Sequence, residues 1–221
     1  MKRKIITTGD GSKTIQIEDW DEQYHSKHGA IQEAYHVFID HGLRLFQNDN
    51  LHILEIGFGT GLNALITLVE ARKRQLRIDY AGVEAFPVAM EEVNLLDYCK
   101  QLGFEAEEEA FQKMHKTPWE ETISITPDFS LLKQQKDFKK IEEENLFNLI
   151  YFDAFGARVQ PELWTEEIFL KMYMALKQNG VLVTYAAKGS VRRAMQAVGF
   201  TVERLPGPPG KREMLRAVKA V

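Results

Sequence analysis

The chain has 221 residues, 28 Lys and Arg against 32 Asp and Glu for a formal charge of −4, a single Cys and 44% hydrophobic residues. That length suits one ordinary domain with a full core, and the lone Cys99 excludes an internal disulfide framework or a Cys-rich zinc site and points to a reducing, cytoplasmic compartment. The basic start Met1-Lys2-Arg3-Lys4 lacks the long apolar run of a signal peptide or membrane anchor, and the acidic balance argues, at first sight, against nucleic acid as the main partner.

The first element is a hairpin, Ile5–Thr8 and Lys13–Ile17 around the turn signal Gly9-Asp10-Gly11-Ser12. A polar stretch, Asp19–Gly29, leads into a helical pattern with Ile31, Ala34, Tyr35 and Phe38 on one face. From there strands and helices alternate. Strands are predicted at His52–Phe58, Arg77–Glu84, Thr122–Thr126, Leu146–Phe152, Val181–Ala186, Thr201–Leu205 and Glu213–Val218, and helices at Asn63–Arg74, Val88–Lys100, Phe129–Lys139, Thr165–Leu176 and Ser190–Val198. Such alternation is the signature of a doubly wound parallel sheet. Only Pro206-Gly207-Pro208-Pro209-Gly210 separates the last two strands, too short a link for a parallel crossover, so they must pair antiparallel. A mostly parallel, seven-stranded α/β sheet with an antiparallel C-terminal hairpin and a small N-terminal β-hairpin resembles the Rossmann-like class I S-adenosylmethionine-dependent methyltransferases. No repeat or linker interrupts the chain. It is expected to be a single domain, with the hairpin and first helix in residues 1–50 and the core in 51–221.

The first core strand runs into Gly57, Gly59 and Gly61 and then a helix. Alternate glycines at a strand-to-helix turn let a ligand approach the backbone and expose amide groups at the positive helix end. Leu62 replaces the third glycine of the dinucleotide fingerprint. The G-x-G-x-G form resembles instead the cofactor loop of S-adenosylmethionine enzymes. Glu55, just before the turn, is placed to receive the cofactor's ammonium, and Glu84, ending the second core strand, to accept both hydroxyls of a ribose. Asp128 is a candidate both for the N-cap of a following helix and for the adenine amino group, with Phe129 against the ring. Asp153 ends the fourth core strand, where a doubly wound sheet opens its crevice. It is a candidate to orient an amine and take its proton, with Phe155 stacking on a planar base.

Four segments, G-F-G-T-G-L-N, F-D-A-F-G-A-R-V-Q-P-E-L-W-T, G-S-V-R-R-A-M-Q-A-V-G-F and G-K-R-E-M-L, resemble the methyltransferase domain of the bacterial MnmC-type enzymes, as does the upstream Y-H-S-K-H-G-A-I-Q-E-A-Y-H-V-F. The resemblance runs from about Tyr24 to the end. It implies S-adenosylmethionine-dependent methylation of the 5-aminomethyl group on the wobble uridine of tRNA, giving 5-methylaminomethyl(-2-thio)uridine, by a stand-alone methyltransferase without a flavin. Matched residue by residue, it implies cofactor contacts at Gly57, Gly59, Gly61, Asn63 and Glu84, a pocket at Asp153 and Phe155, and further contacts near the cofactor at Tyr24 and Glu33. The loop reads Asp-Ala-Phe-Gly-Ala where the family often has Asp-Gly-Phe-Ala-Pro.

The tRNA then gives Arg192, Arg193, Lys211 and Arg212 a partner as phosphate contacts. From Val181 to Val221 there are eight basic and two acidic residues, so the negative total conceals a basic C-terminal end. The glutamate runs 105–109 and 142–144 read as solvated faces, no His spacing suits a metal, and no membrane or obligatory protein partner is expected. The alternatives are a small-molecule or protein amine methyltransferase, or an aminopropyltransferase, of the same fold. Against the last stands Asp153 without a second carboxylate nearby in the sequence. A non-enzymatic RNA-binding module is disfavoured by the intact glycines and acids.

Overall fold

The computed structural model describes residues 2–47 and 50–220. The N-terminal layer holds β1 (Arg3–Thr7) and β2 (Lys13–Ile17), paired antiparallel from Arg3↔Ile17 to Thr7↔Lys13, with the short β3 (Glu22–Gln23) added beside β2. Helix α1 (Ala30–Ala34) continues into a wider turn, Tyr35–Asp40, that buries Val37, Phe38 and Ile39.

The core alternates β4 (Asn50–Ile56), α2 (Leu62–Lys73), β5 (Arg77–Val83), α3 (Met90–Val93), α4 (Tyr98–Leu102), α5 (Glu108–Lys116), β6 (Thr122–Thr126), β7 (Phe129–Gln134), β8 (Phe147–Phe152), α6 (Glu166–Ala175), β9 (Leu176–Thr184), α7 (Gly189–Ala197), β10 (Thr201–Pro206) and β11 (Glu213–Val218). Among the described residues eight strands form the main sheet, in the order β10-β11-β9-β8-β4-β5-β7-β6. The five central strands are parallel; β6 at one edge and the β10–β11 pair at the other run antiparallel. Parallel strands covered on both faces read as continuous apolar runs, as Leu149–Phe152 does; β4 keeps that character except at His52 and the buried Glu55.

Helix α2 is buried from Leu62 to Ala71, because the sheet lies on one side of it and the N-terminal layer on the other. Its sequence is accordingly apolar all round rather than striped. On the opposite face α6 and α7 close a second cluster around Phe152, Trp164 and Phe169.

Three expectations are corrected by the structure. The segment expected as a helix over Phe129–Lys139 is strand β7, and the sheet has eight strands rather than seven. The residues explain this: Phe129, Leu131 and Lys133 are buried while Ser130, Leu132 and Gln134 are less so, a period of two that fits a strand. Strand β6 therefore folds back on β7 as an antiparallel edge. The helix expected over Val88–Lys100 is also broken, into α3 and α4, with Asp97 between them at φ +54°. The antiparallel C-terminal pair and the N-terminal hairpin are as expected.

Candidate active site

The parallel strands present their C-terminal ends on one side, and loops from five of them, with the segment 20–28 across the front, bound a cavity of about 480 Å³. The wall after β4 is the glycine turn. At Gly57 (φ +91°) an added Cβ would lie 2.7 Å from the Asp153 carbonyl oxygen, and at Gly59 (φ +48°) 2.9 Å from the Tyr24 ring, so neither position takes a side chain. The expected exposed amides are otherwise engaged. Gly57 and Phe58 donate to the Val83 carbonyl at 3.0 Å, Gly61 to the Phe58 carbonyl at 2.9 Å, and Gly59 to Glu84 Oε2 at 3.0 Å. The turn offers a ligand a smooth surface rather than a nest of donors.

Glu84 is fixed at its other oxygen by the Phe86 amide at 2.8 Å. Burial pushes its carboxyl above the usual range, against the pull of these N–H bonds. Beneath the turn Thr60 Oγ1 accepts from Tyr98 at 3.1 Å and meets His25 Nε2 at 2.9 Å, while His115 Nε2 donates to the Thr60 carbonyl at 3.2 Å. Burial holds both imidazoles neutral, at about 4.

Asp153 lies at the floor. Burial, and next the charge of Glu33, push its carboxyl up to about 7, against a bond from Asn63 and the charge of Lys211. Glu33, on α1, accepts from the Ser26 amide at 3.0 Å and pairs with Lys211 Nζ at 2.5 Å; that ammonium sits 3.8 Å over the Tyr185 ring. Phe155 meets Tyr24 edge-on at 5.0 Å and Trp20 at 5.6 Å, an aromatic corner at the mouth.

Of the residues singled out in the sequence, Tyr24, Glu33, Gly57, Gly59, Glu84, Asp153 and Phe155 meet around this cavity. Others do not. Asp128 is corrected outright: it sits in the β6–β7 turn, at the opposite end of the sheet, with its side chain 70% exposed, and Phe129 is core, stacked on Tyr80. Asp137 and Phe138, which follow β7, line the cavity instead. Glu55, 1% exposed, binds Tyr80 and Asn63 and does not line the cavity. Gly61 caps α2 against the His115 ring, and both N–H bonds of the Asn63 amide are spent on Glu55 and Asp153. Lys211 is inside the cavity, paired with Glu33, rather than on a free surface. Arg192 and Arg193 lie on α7 and Arg212 in the β10–β11 loop, none ion-paired among the described residues, with Arg193 and Arg212 exposed. The expectation that no second carboxylate lies near Asp153 is also corrected: Glu55 shares the Asn63 amide with it, and Glu33 is close by. Yet Glu55 is out of a ligand's reach, and Glu33 is already ion-paired with Lys211. The His25, Thr60 and Trp20 contributions are invisible in sequence, since tertiary folding alone brings them to the turn.

Six acidic side chains line the cavity against three lysines, so it suits a cationic nucleoside better than a pyrophosphate. Among the described residues no cluster of His, Cys, Asp and Glu is arranged to hold a metal, and no helix is long and apolar enough to cross a membrane.

A doubly wound sheet with a glycine turn, an acid closing the next strand and an acid at the switch point defines the class I methyltransferase type of fold. Residues 106–220 match the family model for S-adenosyl-L-methionine-dependent methyltransferases, and the chain belongs to that family. It is 28% identical over 228 residues to the "tRNA 5-methylaminomethyl-2-thiouridine biosynthesis bifunctional protein MnmC" of Leptospira interrogans, covering 95% of this chain and 34% of that protein. The chain thus spans about a third of the length of such curated relatives. Among solved structures, that of MnmC2 from Aquifex aeolicus superposes with a TM-score of 0.77 at 26% identity, covering 99% of this chain and 70% of that one. Spermidine synthase from Thermotoga maritima shares the fold, with a TM-score of 0.57 at 15% identity over 98% of this chain and 69% of that one.

Proposed function

We propose that this methyltransferase transfers a methyl group to the aminomethyl nitrogen on the wobble uridine of tRNA, giving the 5-methylaminomethyl form. The observation that carries the reading is Asp153: a carboxyl at the strand switch point, raised to about 7 and flanked by Phe155, Tyr24 and Trp20. The names borne by the similar proteins support the tRNA substrate.

Gly57 and Gly59 would lie along the cofactor, Glu84 would accept its ribose hydroxyls, and Asp137 with Phe138 and Phe86 would border its base. When bound, S-adenosylmethionine supplies a methyl group on a positive sulfur, open to direct displacement by a neutral nucleophile. An aliphatic amine holds its proton up to about pH 10.4 in water. Asp153 orients the ammonium and takes the proton, leaving the nitrogen lone pair free at near-contact distance. Phe155 and Trp20 offer faces for the uracil ring, and Glu33 with Lys211 screens the far side of Asp153. Arg192, Arg193 and Arg212, on the same basic end, supply phosphate contacts around the mouth.

The test is nucleoside mass spectrometry of tRNA carrying 5-aminomethyluridine, incubated with protein and methyl donor. A gain of one methyl on that nucleoside is expected, with a kcat that rises through about pH 7 as Asp153 ionises. Donor binding without methylation of any tRNA overturns the reading.

A further inference from the structure

The second residue of α2 carries an unusual load. The Asn63 side-chain nitrogen donates to Glu55 Oε1 at 2.8 Å and to Asp153 Oδ2 at 2.9 Å, spending both N–H bonds on two carboxyls from adjacent strands. Tyr80 donates to the other Glu55 oxygen at 2.9 Å. The carbonyl of the same amide, Asn63 Oδ1, is buried without any donor. Turning the amide over would aim that oxygen at both acids, so the nitrogen must face them. A buried acceptor left unmatched is destabilising, and here it accompanies the one orientation that serves both carboxyls.

Neither polar atom of Asn63 is therefore open to a ligand, and Glu55 is sealed from the cavity as well. Asp153 alone of the three reaches it, held by one oxygen, with Oδ1 unpartnered among the described residues. We propose that Asn63 is a positioning residue for methyl transfer: anchored on Glu55 and Tyr80, its amide clamps Asp153 Oδ2 so that Oδ1 faces the substrate amine. The proposal rests on the reading of Asp153 as the group that takes the amine's proton.

The clamp also favours the ionised form of Asp153, because an N–H donated to a carboxylate stabilises its charge. The other groups facing Asp153 are Glu55 on β4, Glu33 on α1, Lys211 before β11, Tyr185 after β9 and, further out, Glu22 on β3. Burial and Glu33 oppose ionisation and Lys211 supports it. Removing Asn63 takes away a supporting contact, so Asp153 must titrate at higher pH. Removing the charge of Glu33 must do the reverse.

The test follows the Asp153 carboxyl carbon by 13C NMR across pH in the full-length protein, without donor or RNA, the signal being assigned by its loss in Asp153→Asn. In Asn63→Ala the titration should move up by about one pH unit, and in Glu33→Gln it should move down. Kd for S-adenosylmethionine, by calorimetry, should change by less than about threefold in Asn63→Ala, while kcat at pH 7 falls by about 10- to 100-fold and recovers in part at pH 9. Asn63→Ser, which keeps one donor, should fall between wild type and Ala, and it carries the test if the Ala variant does not fold. An unshifted titration with a lost donor affinity would overturn the proposal and make Asn63 a cofactor contact. Because the titration needs no substrate, a shifted Asp153 in a protein that methylates no tRNA counts against the proposed function and not against the clamp.

Discussion

Strand β7 has an Asp-Phe pair at each end, and the two pairs have opposite fates. Asp128-Phe129 precedes the strand. The aspartate stands in water and the ring is 3% exposed, stacked on Tyr80 with centroids 5.6 Å apart. Asp137-Phe138 follows the strand, and both residues border the cavity. The chemistry of the dipeptides is the same. What differs is the direction of the strand: β7 runs parallel to β5, so only its far end opens on the crevice shared by Gly57, Glu84 and Asp153. One end of this sheet is built for packing and the other for ligand chemistry. The largest expected effect follows from the packing end. Phe129→Ala should lower stability by about 3–5 kcal/mol in denaturant unfolding, because it empties a site closed by Tyr80 and the sheet. The folded fraction should still bind S-adenosylmethionine with unchanged affinity, and a selective loss of binding would break the contrast.

The same contrast marks how far the sequence could be read. The β4 turn, the α2 helix, β5 with Glu84 and β8 with Asp153 were legible because each sets a mostly apolar segment beside a glycine turn or a strand-ending acid. The antiparallel closing pair was legible from the shortness of the link between Leu205 and Glu213. Strand β7 was not, since Phe129-Ser130-Leu131-Leu132-Lys133-Gln134 alternates yet includes a buried Lys133, whose ammonium reaches the His115 carbonyl at 2.7 Å and lies over the Trp119 ring. A lysine read as outward-facing spoils the period of two, and with it the polarity of the strand and the place of the acid. The roles of Glu55, Asn63 and Lys211 were hidden for another reason: whether a polar residue beside a glycine turn meets ligand or protein depends on which partner arrives from across the sheet.

The ligand end should give up stability for its chemistry. An aspartate in the unfolded chain ionises near about 3.9, whereas folded Asp153 holds its proton to about 7. Between those values the folded chain binds a proton that the unfolded chain has released, so this residue's contribution falls as pH rises through that window. Asp153→Asn, of the same shape and uncharged, should therefore be inactive yet more stable than wild type by roughly 4 kcal/mol at pH 8, with the gap closing toward pH 4. Denaturant unfolding of both proteins across pH measures it. A variant less stable at pH 8 would mean that the ionised carboxyl is a net support at this end of the sheet.

Asp137 sharpens the comparison at smaller scale. Its carboxylate accepts from the Lys139 amide at 2.8 Å, which fixes the loop but leaves the group able to meet a ligand's donor. Asp137→Ala should weaken S-adenosylmethionine binding by about five- to tenfold, near 1 kcal/mol, by calorimetry. An unchanged affinity would reduce Asp137 to a loop cap.

Asp128→Ala should have the smallest effect of all. The turn is held by the main chain, where the Ile78 amide donates to the Asp128 carbonyl at 2.9 Å, and alanine keeps that bond. The side chain adds an ion pair with Arg77 at 3.9 Å in which both partners are more than half exposed. Such pairs are screened by water and contribute between nothing and about 1 kcal/mol. Stability should shift by less than about 0.5 kcal/mol and S-adenosylmethionine affinity by less than about twofold. The value of so small a number lies in its pairing with Asp137→Ala. Equal losses of affinity from both aspartates would mean that β7 opens on the cofactor from its other end, which its parallel register with β5 forbids.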